Sequence, residues 1–98
     1  EQPPRAAPPL SMTAYPNPFR GSTRIELSVP NDCRASINLY GADGRRVRNL
    51  FTKRLPRGKS AFAWDARDNA GRDLPPGVYF AVGRAGKSRI QSKIVLLR

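Results

Sequence analysis

Apolar and polar side chains alternate along most of this chain. Residues 23–29 show it most cleanly, with Ile25, Leu27 and Val29 on one side and Arg24, Glu26 and Ser28 on the other. A period of two is what a strand with one buried face produces. The same period runs through residues 10–15 (Leu10, Met12, Ala14), 34–40 (Ala35, Ile37, Leu39), 59–65 (Phe62, Trp64) and 88–97 (Ile90, Ile94, Leu96). In residues 78–84, Val78, Phe80 and Val82 share one face, against Tyr79 and Ala81 on the other. Residues 46–52 carry Val47, Leu50 and Phe51 out of strict alternation, which predicts a bulge there.

Turn-forming residues separate these runs. They are Pro16–Gly21, Pro30-Asn31-Asp32, Gly41-Ala42-Asp43-Gly44, Pro56-Arg57-Gly58, a long polar stretch from Asp65 to Gly77, and Ala85-Gly86-Lys87. No segment carries a helical period. About seven short strands with turns at this spacing predict an all-β, immunoglobulin-like sandwich of antiparallel strands, with a small closed barrel as the alternative. The two-cysteine hallmark of antibody domains is absent, since Cys33 stands alone. It reads as a half-buried or loop thiol and cannot form an internal disulfide.

Length and charge narrow the picture. The chain has 98 residues, enough for one domain and not two. Four prolines within residues 1–9 read as an extended linker, which leaves residues 10–98 for the sandwich. With no Met or signal peptide at Glu1, the chain reads as part of a longer exported precursor. No apolar run is long enough to cross a membrane as a helix. The net charge is +11, and arginine supplies 14 of the 18 basic residues. Such a balance favours polyanions. The basic residues are spread along the chain rather than blocked together, which is the pattern of ordinary solvated faces.

The chemistry available is sparse. With no His and one Cys, neither a Cys–His dyad nor the usual zinc sites can be built, and no enzyme activity is expected. No cofactor motif is present. Asp65, Asp68 and Asp73 fall in one turn around Gly71 and superficially resemble a calcium loop. Arg67 and Arg72 inside it would oppose a divalent ion, so the acids are expected to cap the turn instead. Tyr40 and Tyr79 read as sheet-packing residues, and neither joins a basic cluster with a second outward aromatic. Nucleic acid is therefore not expected as a partner.

Several phrases stand in a recognisable order: Tyr15-Pro16-Asn17-Pro18-Phe19, Thr23-Arg24-Ile25-Glu26-Leu27, and Ile37-Asn38-Leu39-Tyr40-Gly41-Ala42-Asp43-Gly44-Arg45-Arg46-Val47. Phe62-Ala63-Trp64-Asp65, Asp68-Asn69-Ala70-Gly71, Pro76-Gly77-Val78-Tyr79-Phe80 and Lys93-Ile94-Val95-Leu96 follow. The set resembles the type A C-terminal sorting domain of the type IX secretion system. It is similar also to the related immunoglobulin-like domain of the flagellar hook-capping protein. Pro16, Asn17, Pro18, Gly44, Trp64, Asp65 and Gly71 are explained by folding: prolines pin the chain between sheets, Trp64 is the largest core candidate, and glycines supply tight turns. Gly77 is expected to allow a close entry into the next strand.

The resemblance implies a sorting signal. Such domains direct a periplasmic cargo, carried upstream in the same chain, to the outer-membrane translocon. A sortase-like peptidase typically removes them, with attachment of the cargo to anionic lipopolysaccharide at the cell surface or release outside. Removal would fall near residues 1–10. The signal is associated with Gly77, Val78 and Tyr79 and with Lys93, Ile94, Val95, Leu96, Leu97 and Arg98, and removal of the last six is expected to leave most of the sandwich folded. The chain ends Leu96-Leu97-Arg98, where a short Lys-ended tail is more usual. Two other roles fit the residues: a structural module that packs on an upstream domain or self-associates through edge strands, Leu10–Tyr15 among them, and a polyanion-binding module using its arginines.

Overall fold

The computed structural model describes residues 9–98, so all but the last residue of the expected linker lies outside it. Seven strands follow in order: β1 Ser11–Tyr15, β2 Thr23–Val29, β3 Cys33–Gly41, β4 Arg46–Leu55, β5 Gly58–Trp64, β6 Gly77–Ala85 and β7 Ser88–Leu96. They form a three-stranded sheet, β1-β2-β5, and a four-stranded sheet, β4-β3-β6-β7. Every pairing between strands is antiparallel. The fold is an immunoglobulin-like β-sandwich and not a closed barrel, as the alternation predicts.

The core is the set of inward alternates. Ile25, Leu27 and Val29 of β2 face Ala35, Ile37 and Leu39 of β3, and all six are buried. Trp64, Ile94 and Leu96 close one end of this layer, each at most 1% exposed. The irregular run in β4 resolves into two bulges. Ile37 pairs with Phe51 but Asn38 with Asn49, which leaves Leu50 extra; Leu39 pairs with Arg48 but Tyr40 with Arg46, which leaves Val47 extra. Each extra residue lets another apolar side chain reach the core, so Val47, Leu50 and Phe51 all pack against it despite their spacing.

In β6 the structure decides which of the two faces is buried. Its apolar-rich face of Val78, Phe80 and Val82 looks outward, although Val82 is still covered. Tyr79, Ala81, Gly83 and Ala85 face the core. The reason is space. A Cβ on Gly83 would stand 3.1–3.2 Å from side-chain atoms of Ile90 on the neighbouring strand and of Leu27 and Met12 on the opposite sheet, so this layer is already filled. Small residues belong there, whatever the hydropathy of the other face.

Gly77 also serves differently from the expected close approach. Nothing lies within 4 Å of where its Cβ would be, but its φ is 152°, which a side chain would strain. Gly44 and Gly71 take positive φ in their turns, as expected. Cys33 is half-buried. No helix among the described residues is long and apolar enough to cross a membrane.

Candidate functional site

The two segments singled out as sorting candidates are 14 or more residues apart in sequence and adjacent in space. Gly77 pairs with Leu96, Val78 with Val95, Tyr79 with Ile94 and Phe80 with Lys93. β7 is an edge strand, so its outer backbone groups need partners. The Pro16–Phe19 segment supplies them. Asn17 Nδ2 donates to the Lys93 carbonyl at 2.9 Å, and Asn17 Oδ1 accepts from the Val95 amide at 3.0 Å. The Phe19 amide donates to the Val95 carbonyl at 2.9 Å, and the Leu97 amide to the Phe19 carbonyl at 2.8 Å. Thr23 Oγ1, itself buried, donates to the Pro16 carbonyl at 2.7 Å and holds the segment from below. The peptide bonds before Pro16 and Pro18 are both cis.

The same motifs meet again in the core. Phe19 is 1% exposed and its ring lies 5.6 Å from Trp64. Trp64 stands edge-on to Tyr79 at 5.6 Å and 73°. The Tyr79 hydroxyl donates to the Pro75 carbonyl just upstream, the corner tyrosine of immunoglobulin-like sandwiches. Burial raises its phenol above the ordinary value, and the positive charge of Arg98 opposes that shift. The Trp64 indole donates to the Arg67 carbonyl at 3.2 Å.

Burial divides the candidate residues. Tyr79, Ile94 and Leu96 are buried, so their side chains serve the fold and are closed to a partner. Val78 and Leu97 are 36% and 38% exposed, and Lys93 and Arg98 are exposed as well. Val78 and Val95 are cross-strand neighbours on the outer face of the four-stranded sheet. Removal of Lys93–Arg98 would therefore take Ile94 and Leu96 out of the core, and the terminal segment is not separable from the sandwich. Replacing Asn17 with Ala removes its bonds to the Val95 amide and the Lys93 carbonyl at an exposed edge, and should cost about 1 kcal/mol in urea unfolding. A change under about 0.5 kcal/mol would show that water replaces the side chain freely.

The acidic turn is occupied by its own backbone. Asp68 Oδ1 accepts the Ala70 and Arg72 amides, each at 2.9 Å, and its Oδ2 accepts Arg72 Nε at 3.2 Å. The Arg72 amide bond is the main cause that holds the Asp68 carboxyl below its ordinary value, aided by the Ala70 amide and the Arg72 charge. Asp65 accepts from the Arg67 amide and from Arg48 Nη1, both at 3.2 Å. Asp73 pairs with Arg67 at 3.3 Å. Asp65 and Asp68 thus cap the turn as expected, whereas Asp73 serves through its ion pair with Arg67. Asn69 reaches across to β4, where its Oδ1 accepts the Asn49 amide at 2.9 Å and its amide donates to Val47 at 3.0 Å. Part of the β4 edge is covered in this way, as part of the β7 edge is by Asn17 and Phe19. β1 is paired along its whole length with β2 on one side and forms an outer edge of the three-stranded sheet, so the segment expected to reach a neighbour stays in its own sandwich and presents its other edge.

The model of the FlgD Ig-like domain matches residues 14–84. The chain belongs to this family. The match bears out the resemblance carried by the ordered motifs, and the likeness of FlgD Ig-like domains extends to solved structures. FlgD from P. aeruginosa superposes with a TM-score of 0.66 at 20% identity, covering 86% of this chain and 73% of that one. Dimeric latent PorU from Porphyromonas gingivalis superposes with a TM-score of 0.69 at 18% identity over 92% of this chain. PorZ, a surface component of the type IX secretion system of Porphyromonas gingivalis, gives 0.58 at 20% identity over 89%. This FlgD Ig-like domain spans only 10% of the PorU chain and 11% of the PorZ chain. At these identities the likeness is one of fold. No curated protein matches the sequence.

Proposed function

We propose that this FlgD Ig-like domain is a non-catalytic sorting module that directs an exported protein to a type IX outer-membrane translocon. The observation that carries the reading is the pairing of Gly77–Tyr79 with Ile94–Leu96 beneath the Pro16–Phe19 cap. In the sorting domains that the motifs resemble, these are the segments associated with the signal. Here they form one rigid edge that offers Val78, Lys93, Val95, Leu97 and Arg98 to a partner. The fold's occurrence within PorZ, a component of that secretion system, supports the same assignment. On this reading the domain passes through the periplasm with its cargo upstream. A sortase-like peptidase then cuts within residues 1–10 at the cell surface. A chain without His, whose turn acids Asp65 and Asp68 accept backbone amides and whose Asp73 is paired with Arg67, suits a recognition role.

The test is export of a periplasmic reporter fused ahead of residues 1–98, in a bacterium that has the system. The fusion should reach the surface or the medium. Changing Val78 and Leu97 together to Asp should reduce export about tenfold, as losing a central contact does, with the domain still folding cooperatively at a somewhat lower unfolding midpoint. Retention of the unaltered fusion while the host still exports its own cargo would overturn the assignment.

A further inference from the structure

The arginines are scattered in sequence, but the register of the four-stranded sheet gathers four of them at one corner. Arg34 of β3 lies directly opposite Arg54 of β4, and Arg84 of β6 directly opposite Arg89 of β7. Between the two pairs, Ser36 faces Thr52 on one side and Arg84 on the other. Successive residues of a strand point to opposite faces. Ala35, Ile37 and Ala85 are buried in the sandwich, so Arg34, Ser36 and Arg84 look outward. Like charges placed directly opposite on a sheet are destabilising. Here two such pairs stand side by side.

Among the described residues no carboxylate forms an ion pair with them. The ion pairs among the described residues engage Arg48, Arg67 and Arg72. Arg89 bonds only the neutral amide of Gln91, at 3.1 Å. Asp32, near the start of β3, accepts the Arg57 amide at 2.7 Å. Between Arg34 and Arg84 opens a cleft of about 200 Å³, lined also by Ser36, Thr52 and Gly86. Thr52 Oγ1 already accepts from Asn49 Nδ2 at 3.0 Å, which leaves its O–H to donate. The cleft therefore offers two guanidinium forks and two hydroxyls, with no acid among its lining residues.

We propose that this cleft binds a phosphate-type oxyanion. Arg34 and Arg84 grip it as charged forks, Ser36 and Thr52 donate from the floor, and Arg54 and Arg89 raise the local positive potential. A phosphate would turn the uncompensated repulsion of the four arginines into attraction. The site is open on its outer side, so a free phosphate and a phosphomonoester headgroup present the same chemistry to it. It lies away from the Val78–Leu97 edge and stands or falls independently of the sorting role.

The whole chain, labelled with ¹⁵N, tests this by titration with sodium phosphate at constant ionic strength, with chloride as control. Amide shifts should centre on Ser36, Thr52 and Arg84, and phosphate should raise the unfolding temperature. Arg34→Gln with Arg84→Gln should weaken binding at least about tenfold, the loss of one charged hydrogen-bond pair. The same charge change at Arg20 and Arg24 should leave it intact. A second arm measures sedimentation with phosphatidic acid vesicles against phosphatidylcholine vesicles. The site is supported if either phosphate source depends on Arg34 and Arg84. It is overturned if neither does, if chloride gives the same shifts, or if the Arg20 and Arg24 changes weaken binding equally.

Discussion

A chain that stops at Ser92 should not fold. Its missing residues include Ile94 and Leu96, both at most 1% exposed. Truncating a buried aliphatic side chain to Ala costs about 2–5 kcal/mol, so two cost about 4–10 kcal/mol before backbone pairing is counted. Small domains hold only about 5–15 kcal/mol in total. The same deletion strips Gly77–Phe80 of their β7 partners, and Asn17 and Phe19 of theirs. The expected result is collapse of amide-proton dispersion and loss of the cooperative thermal transition. A chain ending at Leu96 is the informative companion. It loses one Leu97 amide bond and the Arg98 contact to the Leu74 carbonyl, and should stay folded at a cost of about 1–2 kcal/mol. Native dispersion in the shorter chain would refute the argument. The practical consequence is that lost export after deletion of Lys93–Arg98 measures folding. Surface changes at Val78 and Leu97 are the ones that measure recognition.

The second large effect is at Trp64. Its side chain is fully buried between Phe19 and Tyr79, and its indole bonds the Arg67 carbonyl at 3.2 Å. Trp64→Ala should cost about 3–5 kcal/mol, because a rigid sandwich closes poorly over so large a void. Trp64→Phe keeps most of the ring contact, loses the indole bond, and should cost about 1–2 kcal/mol. Urea unfolding followed by far-ultraviolet circular dichroism separates the two. Equal losses from both would show that the hydrogen bond, not the packed volume, dominates.

These two effects share a cause that the sequence shows only in part. The phrases Asn17-Pro18-Phe19, Trp64-Asp65, Gly77-Val78-Tyr79 and Lys93–Leu96 are recognisable in order, yet nothing local says that they touch. In the fold they form one unit: Phe19 on Trp64, Trp64 on Tyr79, and Asn17 on the last strand. The corner hydrogen bond of Tyr79 was missed for the same reason. Its one available signal is position, a Tyr just inside the strand after a Pro-Pro-Gly turn. Phe19 was likewise hidden, since it lies in a turn with no alternation to mark it.

Local patterns determined the strands. Alternation in β2, β3, β5 and β7 and the turn residues between them are short-range properties, because side chains i and i+2 share a face in any strand. Even a bulge in β4 was legible, since Val47, Leu50 and Phe51 cannot all face inward otherwise, although the pairing shows two where one was expected. Which face of β6 is buried was not legible, because the room left by Met12 and Leu27 decides it, not hydropathy. The arginine corner is the clearest case. In sequence, Arg34, Arg54, Arg84 and Arg89 belong to a diffuse basic background. Only the strand order β4-β3-β6-β7 and its register bring them face to face, because cross-strand distance is set by pairing and not by separation along the chain.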